Sequence, residues 1–155
     1  MPIRFQRAVY NRECSAYGLV KAGAQDDDIV MTSDADEIIN PYVIEDLDWF
    51  DPAHNYVALC RAFYFKLNHL YQENWKGTRL CTFKHLKSTT VDRLRTDWRQ
   101  AYQIENAGWH WSFLGDADNV RLKLASYEHT ENNISSNTDN MEQRIDEGMD
   151  PLGRS

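Results

Sequence analysis

Apolar positions recur along the chain on two periods, and the switches between them predict alternating helices and strands. Residues 8–23 are rich in Ala, Leu and Val, with Tyr10, Cys14, Tyr17 and Val20 near helical spacing and Gly23 as a helix stop. Residues 29–32, Ile-Val-Met-Thr, form a short β-branched run between acidic flanks. That predicts a strand buried on both faces, as in a parallel sheet covered by helices. Asn40-Pro41 opens a turn, and Pro41 at a first helical position predicts a short helix through Asp48, with 49–52 a loop. From Tyr56 to Leu70, Phe63, Phe65 and Leu67 alternate with Tyr64, Lys66 and Asn68, a strand pattern. Asn74-Trp75-Lys76-Gly77 reads as a turn, and 78–83 as a strand returning antiparallel. The charged stretch 84–100 predicts a loop with a short helix.

Residues 104–114 predict a strand with Trp109 and Trp111 on one face, His110 on the other, and Gly108 allowing a close backbone approach. Asp116 or Asp118 caps a helix running to Ala125. Residues 132–137 are polar and expected to be flexible, and 141–148 predict a last short helix. No repeat or internal boundary interrupts the pattern, so residues 1–155 read as a single α/β domain.

With 42% hydrophobic and 12% aromatic residues, the chain has the means to build a core. A formal charge of −7 without any basic run argues against a nucleic-acid partner, but leaves phosphate binding through a metal open. No apolar stretch reaches the length of a membrane span, and residues 1–7 hold no signal-peptide core. The expectation is a cytoplasmic protein, of prokaryotic or viral origin. Cys14, Cys60 and Cys81 are odd in number and far apart, which predicts buried free thiols.

Asp34, Asp36 and Glu37 follow the 29–32 strand, and ligands gather at the carboxyl ends of strands in α/β sheets. In an extended chain Asp34 and Asp36 would aim two carboxylates at one point and repel. A hard divalent cation removes that conflict; a solvated acidic loop avoids it. After the helix ending near Ser126, an extended segment would point His129 and Glu131 the same way, toward Asp34 and Asp36. An imidazole there suits manganese better than calcium.

Four segments carry a family resemblance: Arg12-Glu13 with Gly18-Leu19, residues 27–38 with Ser33-Asp34-Ala35-Asp36-Glu37-Ile38, residues 106–112 with Gly108-Trp109-His110, and residues 123–131. In this order they resemble glycosyltransferase family 17. The resemblance implies a GT-A-like, Rossmann-like mixed sheet flanked by helices, and inverting transfer of N-acetylglucosamine from a UDP-sugar to a glycan acceptor. It implies manganese or magnesium on Asp34 and Asp36 with His129 as a third ligand. Arg12, Asp34 and His110 become candidate donor contacts. Glu131 is the candidate base, with Asp116 and Glu128 as rivals. Trp109 and Trp111 could face a sugar ring or pack in the core. The chain begins only one helix before the Asp-x-Asp strand, so the earlier β-α-β portion of a GT-A fold is expected to be missing. The second reading is therefore a non-catalytic GT-A-like fragment that binds. A metal-dependent phosphate-ester hydrolase is a weaker third, because there is no second metal set.

Overall fold

The computed structural model describes residues 3–127 and 129–152. The elements run α1 (Ile3–Ala22), β1 (Ile29–Thr32), β2 (Glu37–Ile39), α2 (Tyr42–Glu45), β3 (Tyr56–Tyr64), β4 (Leu70–Thr82), α3 (Phe83–Lys87), α4 (Val91–Thr96), β5 (Tyr102–Ser112), α5 (Ala117–Ser126), α6 (Ser135–Thr138) and α7 (Met141–Glu147). Single 3₁₀ turns occupy Trp98–Gln100 and Thr130–Asn132. The sheet order is β1-β4-β3-β5-β2. Only β3 and β5 pair in parallel; the other neighbours are antiparallel. The expected α/β class with a mixed sheet stands.

β1 is not the buried parallel strand that its apolar run predicts. It is an edge strand, antiparallel to β4, with Val30 buried and Met31 44% exposed. Four apolar residues cannot distinguish one covered face from two. The strand buried on both faces is β3, where Arg61 alone is exposed and β4 and β5 flank the chain. The hairpin also differs. β3 ends at Tyr64, residues 65–69 make the connection, and β4 runs straight through Asn74-Trp75-Lys76-Gly77. Asn74 holds φ 58°, and β3 residues 60 and 62 face β4 residues 75 and 72. The turn-like sequence is thus a bulge with one extra residue on β4.

β1 and β2 lie at opposite edges of the sheet, yet only residues 33–36 join them. Five extended steps span at most about 17 Å, whereas the edges of a flat five-stranded sheet would stand about 19 Å apart. The sheet therefore curls, helped by the register shifts along β3. Curling brings β2 against β4, its non-neighbour: Trp75 Nε1 donates to Glu37 Oε1 at 3.2 Å. The Asp-x-Asp segment is the strap across that curl.

Helices cover the sheet in two groups. α1 packs Ala16 and Leu19 on a core of Val30, Cys81, Phe83, Leu86, Val91 and Leu94. It ends where Gly23 takes φ 82°, with Gly23 N–H on the Val20 carbonyl and Ala24 N–H on that of Leu19, both at 3.1 Å. Glu13 caps α4 from α1, accepting from the Val91 and Asp92 amides at 3.3 and 3.0 Å. The expected loop at 84–100 is thus two short helices, each with a threonine cap, Thr82 and Thr90. α5 buries Ala117, Val120 and Leu124 against Tyr64, Phe113, Met141 and Ile145. The expected flexible stretch 132–137 runs into α6, with Asn137 buried. Cys60 and Cys81 are buried free thiols, pushed up to about 11 by burial, but Cys14 is exposed. No helix among the described residues is long and apolar enough to cross a membrane.

Gly108 faces Ile39 in the β2–β5 ladder, and a Cβ there would lie 2.3 Å from the Ile38 carbonyl oxygen. Gly108→Ala is expected to cost about 1–3 kcal/mol through overpacking. Each kcal/mol lowers Tm by roughly 2–4 °C for a chain of this size. A wild-type melting curve would mean that β2 does not lie on β5 at this distance.

Candidate functional site

Asp34 and Asp36 sit in a tight turn, closed by Glu37 N–H on the Asp34 carbonyl at 3.0 Å. The segment is a turn, not the extended chain expected to aim the two carboxylates at one point, yet both line one cleft. Each meets a different cation. Arg95 Nη2 donates to Asp34 Oδ2 at 2.6 Å and to Glu37 Oε1 at 2.7 Å, and Arg95 Nη1 donates to Glu37 Oε2 at 3.2 Å. The Glu37 side chain is completely buried and that of Arg95 only 15% exposed. Glu37 also accepts from the Asp34 amide at 3.2 Å and from Trp75. Behind them the buried Arg79 donates to the Arg95 carbonyl at 2.7 Å and to the Gly77 carbonyl, which fixes the C-terminal end of α4. Val91 and Leu94 dock α4 on the core, and Arg95, the residue after Leu94, is delivered to the turn.

Asp36 is held by β5 and α5. Its carbonyl accepts from the Trp111 amide at 2.8 Å. Lys123 Nζ donates to Asp36 Oδ2 and to Ser112 Oγ, both at 2.8 Å, and the Ser112 hydroxyl donates to Asp36 Oδ2 at 3.4 Å. His110 stacks on Trp75 with ring centroids 4.5 Å apart and planes 11° from parallel. Its Nδ1 lies 3.6 Å from Asp36 Oδ1, is buried, and makes no hydrogen bond.

Burial raises Asp34 above the ordinary carboxylate value, outweighing the opposing pull of Arg95. At Asp36 burial again works upward, but the hydrogen bond and charge of Lys123, with His110, bring the carboxyl below its usual value. Burial lowers His110 and favours its neutral form. At Arg95 the burial cost is overcome by Glu37 and the two aspartates, which hold the guanidinium charged.

These groups open on a cleft of about 1200 Å³. Among the described residues its walls carry four cationic side chains, Arg7, Arg12, Arg95 and Lys123, against two carboxylates, Asp34 and Asp36. A cleft richer in cations than anions, in a chain of charge −7, attracts an anionic ligand. Arg12 reaches the cleft from α1 and pairs with Asp92 at 2.9 Å. For a divalent ion the donors are hard, and Asp34 Oδ1 and Asp36 Oδ1 accept no hydrogen bond among the described residues. Among the described residues no group of three His, Cys, Asp or Glu side chains is placed to hold a metal ion by itself. An ion bound here would fill its shell with substrate phosphate oxygens and water, as magnesium commonly does.

Of the other expected site residues, His110 and His129 line the same cleft as Asp34 and Asp36. Thr130–Asn132 form a 3₁₀ turn in place of the expected extended segment, yet His129 Nδ1 donates to Glu131 Oε1 at 3.0 Å. With the proton on Nδ1, Nε2 is the basic nitrogen. Asp116 is not a lining residue. Its carboxylate accepts from the Asn119 amide at 3.0 Å as the cap of α5, roughly 10 Å along the helix from Lys123. Glu128 lies outside the described residues. Trp109 and Trp111 share one face, as expected, with ring centroids 6.2 Å apart, and neither lines the cleft. The sequence reading missed Arg95, Lys123, Ser112 and Trp75. Lys123 stands inside a segment that carries the family resemblance; Arg95 carries no local signal that separates it from Arg93.

The family model of glycosyltransferase family 17 matches residues 3–151. No curated protein and no solved structure matches the chain.

Proposed function

The chain belongs to glycosyltransferase family 17, and on that premise we propose that it transfers N-acetylglucosamine, with inversion, from a UDP-sugar to a glycan acceptor, using manganese or magnesium held at Asp34 and Asp36. The observation that carries this reading is the cleft where the Asp-x-Asp turn meets Arg7, Arg12, Arg95 and Lys123. We take the curled mixed sheet as of GT-A type, with the strap between β1 and β2 as its metal turn.

A bound divalent ion would stabilise the negative charge of the departing diphosphate as a Lewis acid. The chain's own residues supply the rest. Arg95 and Lys123 hold Asp34 and Asp36 in place and put fixed positive charge beside the diphosphate, where charge develops in the transition state. Arg12 offers a forked donor from the α1 wall. The acceptor hydroxyl loses its proton to His129 Nε2, and Glu131 at Nδ1 orients the ring and stabilises the imidazolium. Glu131 therefore acts through His129 and not directly on the acceptor.

A second reading, a binding protein without turnover, draws on one observation: both aspartates already have cationic partners at 2.6 and 2.8 Å. Calorimetric titration of UDP and UDP-N-acetylglucosamine, with and without manganese, separates the two, followed by assay of sugar transfer. The transferase reading expects UDP binding that depends on manganese. It also expects a rise in stability of about 2.7 kcal/mol at a ligand concentration a hundredfold above Kd. Equal UDP binding with and without the ion would remove the metal from the proposal. No transfer despite manganese-dependent binding would favour the binding protein.

A further inference from the structure

We infer that His110, through Nδ1, is the nitrogen ligand of the divalent ion, paired with Asp36 Oδ1, and that His129 is not a ligand. This inference rests on the metal-dependent reading of the same cleft.

Two independent observations converge on His110. The first is the acidic turn, whose Asp34 Oδ1 and Asp36 Oδ1 accept no hydrogen bond among the described residues. The second is the ring itself. The His110 side chain is only 9% exposed, lines the cleft, and keeps Nδ1 buried without a hydrogen bond. Leaving a buried polar atom unpaired costs roughly 1–3 kcal/mol, so such an atom calls for an explanation. Nδ1 lies 3.6 Å from Asp36 Oδ1, too far for a hydrogen bond. Two ligands each about 2.1 Å from one cation are separated by about 3.0 Å at a right angle and about 3.4 Å at the tetrahedral angle. The observed gap is only slightly wider, and a small turn of the Asp36 carboxylate closes it.

The surroundings fix the ring in this pose. Trp75 stacks on its face, and Trp75 is held by its own indole N–H on Glu37. Glu37 faces His110 across the β2–β5 ladder and is locked by Arg95. This chain of contacts holds the ring plane and leaves Nδ1 facing Asp36. His129 is set apart by its role as the base of the proposed reaction: Glu131 holds its Nδ1, Nε2 takes the acceptor proton, and its ring packs edge-on to Phe5 at 5.2 Å.

Electron spin echo modulation of manganese, bound to the full chain with UDP, reads directly coordinated nitrogen. The expected result is imidazole nitrogen modulation in the wild type and in His129→Gln, lost in His110→Gln. Manganese affinity should fall by about tenfold or more in His110→Gln, at least the loss that removal of a supporting contact brings. His129→Gln should leave that affinity near the wild type. If His110→Gln does not fold, the His129→Gln spectrum decides, because these two are the histidines lining the cleft among the described residues. Bound manganese without nitrogen modulation in the wild type, or modulation lost in His129→Gln, overturns the inference and leaves metal dependence standing. Wild type that binds no manganese with UDP overturns the metal reading and the inference together.

Discussion

Glu37→Ala is expected to destabilise the fold by about 3–5 kcal/mol, the cost of breaking a buried ion pair from one side. Glu37 is the completely buried partner of Arg95, which is 15% exposed and cannot turn out to solvent without unseating α4. Its removal also orphans the Trp75 indole N–H and the Asp34 amide. Asp34 stays on Arg95 and softens the loss, so the lower part of that range is the better expectation. Glu37→Gln keeps the shape and a carbonyl acceptor and should cost less than Glu37→Ala. Urea unfolding measures both: the midpoint should fall with the slope unchanged. A loss under about 1 kcal/mol, in the range of an exposed pair, would mean that Arg95 and Glu37 do not hold the strap.

The elements written in local chemistry were legible in the sequence. Gly23 marks the end of α1, Asp116 caps α5, and Trp109-His110-Trp111 alternates across β5. The features that depend on partners were not. Ile29-Val30-Met31-Thr32 has the composition of a central strand, but its neighbours decide that only Val30 is covered. Asn74-Trp75-Lys76-Gly77 has turn chemistry, and long pairing with β3 on both sides turns it into a bulge. There the ladder outweighs a local preference.

The site shows the same division. Asp34 and Asp36 stood out less by themselves, since a bare Asp-x-Asp after an apolar run is common in solvated loops, than within the longer segment that carries the family resemblance. Their partners lie far away in sequence, at Arg95 and Lys123. Arg93 and Arg95 share one short helix, yet Arg93 pairs with Asp97 at the surface while Arg95 turns inward. No periodicity separates them; the docking of α4 under Glu13 does. His110 was legible as a polar residue on the face opposite two tryptophans. That its Nδ1 is left open follows only from how Trp75 and Asp36 meet around it.

Asp36→Asn is expected to lower sugar transfer by about 100- to 1000-fold, the loss typical of removing one preorganised electrostatic group from an active site. The substitution keeps volume and shape, and the backbone bond from Trp111 to residue 36 is untouched. What goes is the charge. Asp36 is the carboxylate shared by Lys123, Ser112 and the space beside His110, so its neutralisation weakens any cation held there. Stability should change little, by less than about 1 kcal/mol, because the Asp36 and Lys123 side chains are each about one-third exposed and their ion pair is partly screened. The expected pattern is therefore a near-native melting curve, no stabilisation by manganese with UDP, and a reduced kcat. If diphosphate binding rests mainly on Arg12, Arg95 and Lys123, the variant's KM for the donor will rise less than kcat falls, the mark of an interaction made chiefly in the transition state. Asp36→Asn with wild-type turnover and intact manganese dependence would remove the Asp-x-Asp turn from the chemistry and leave it as the strap that closes the sheet.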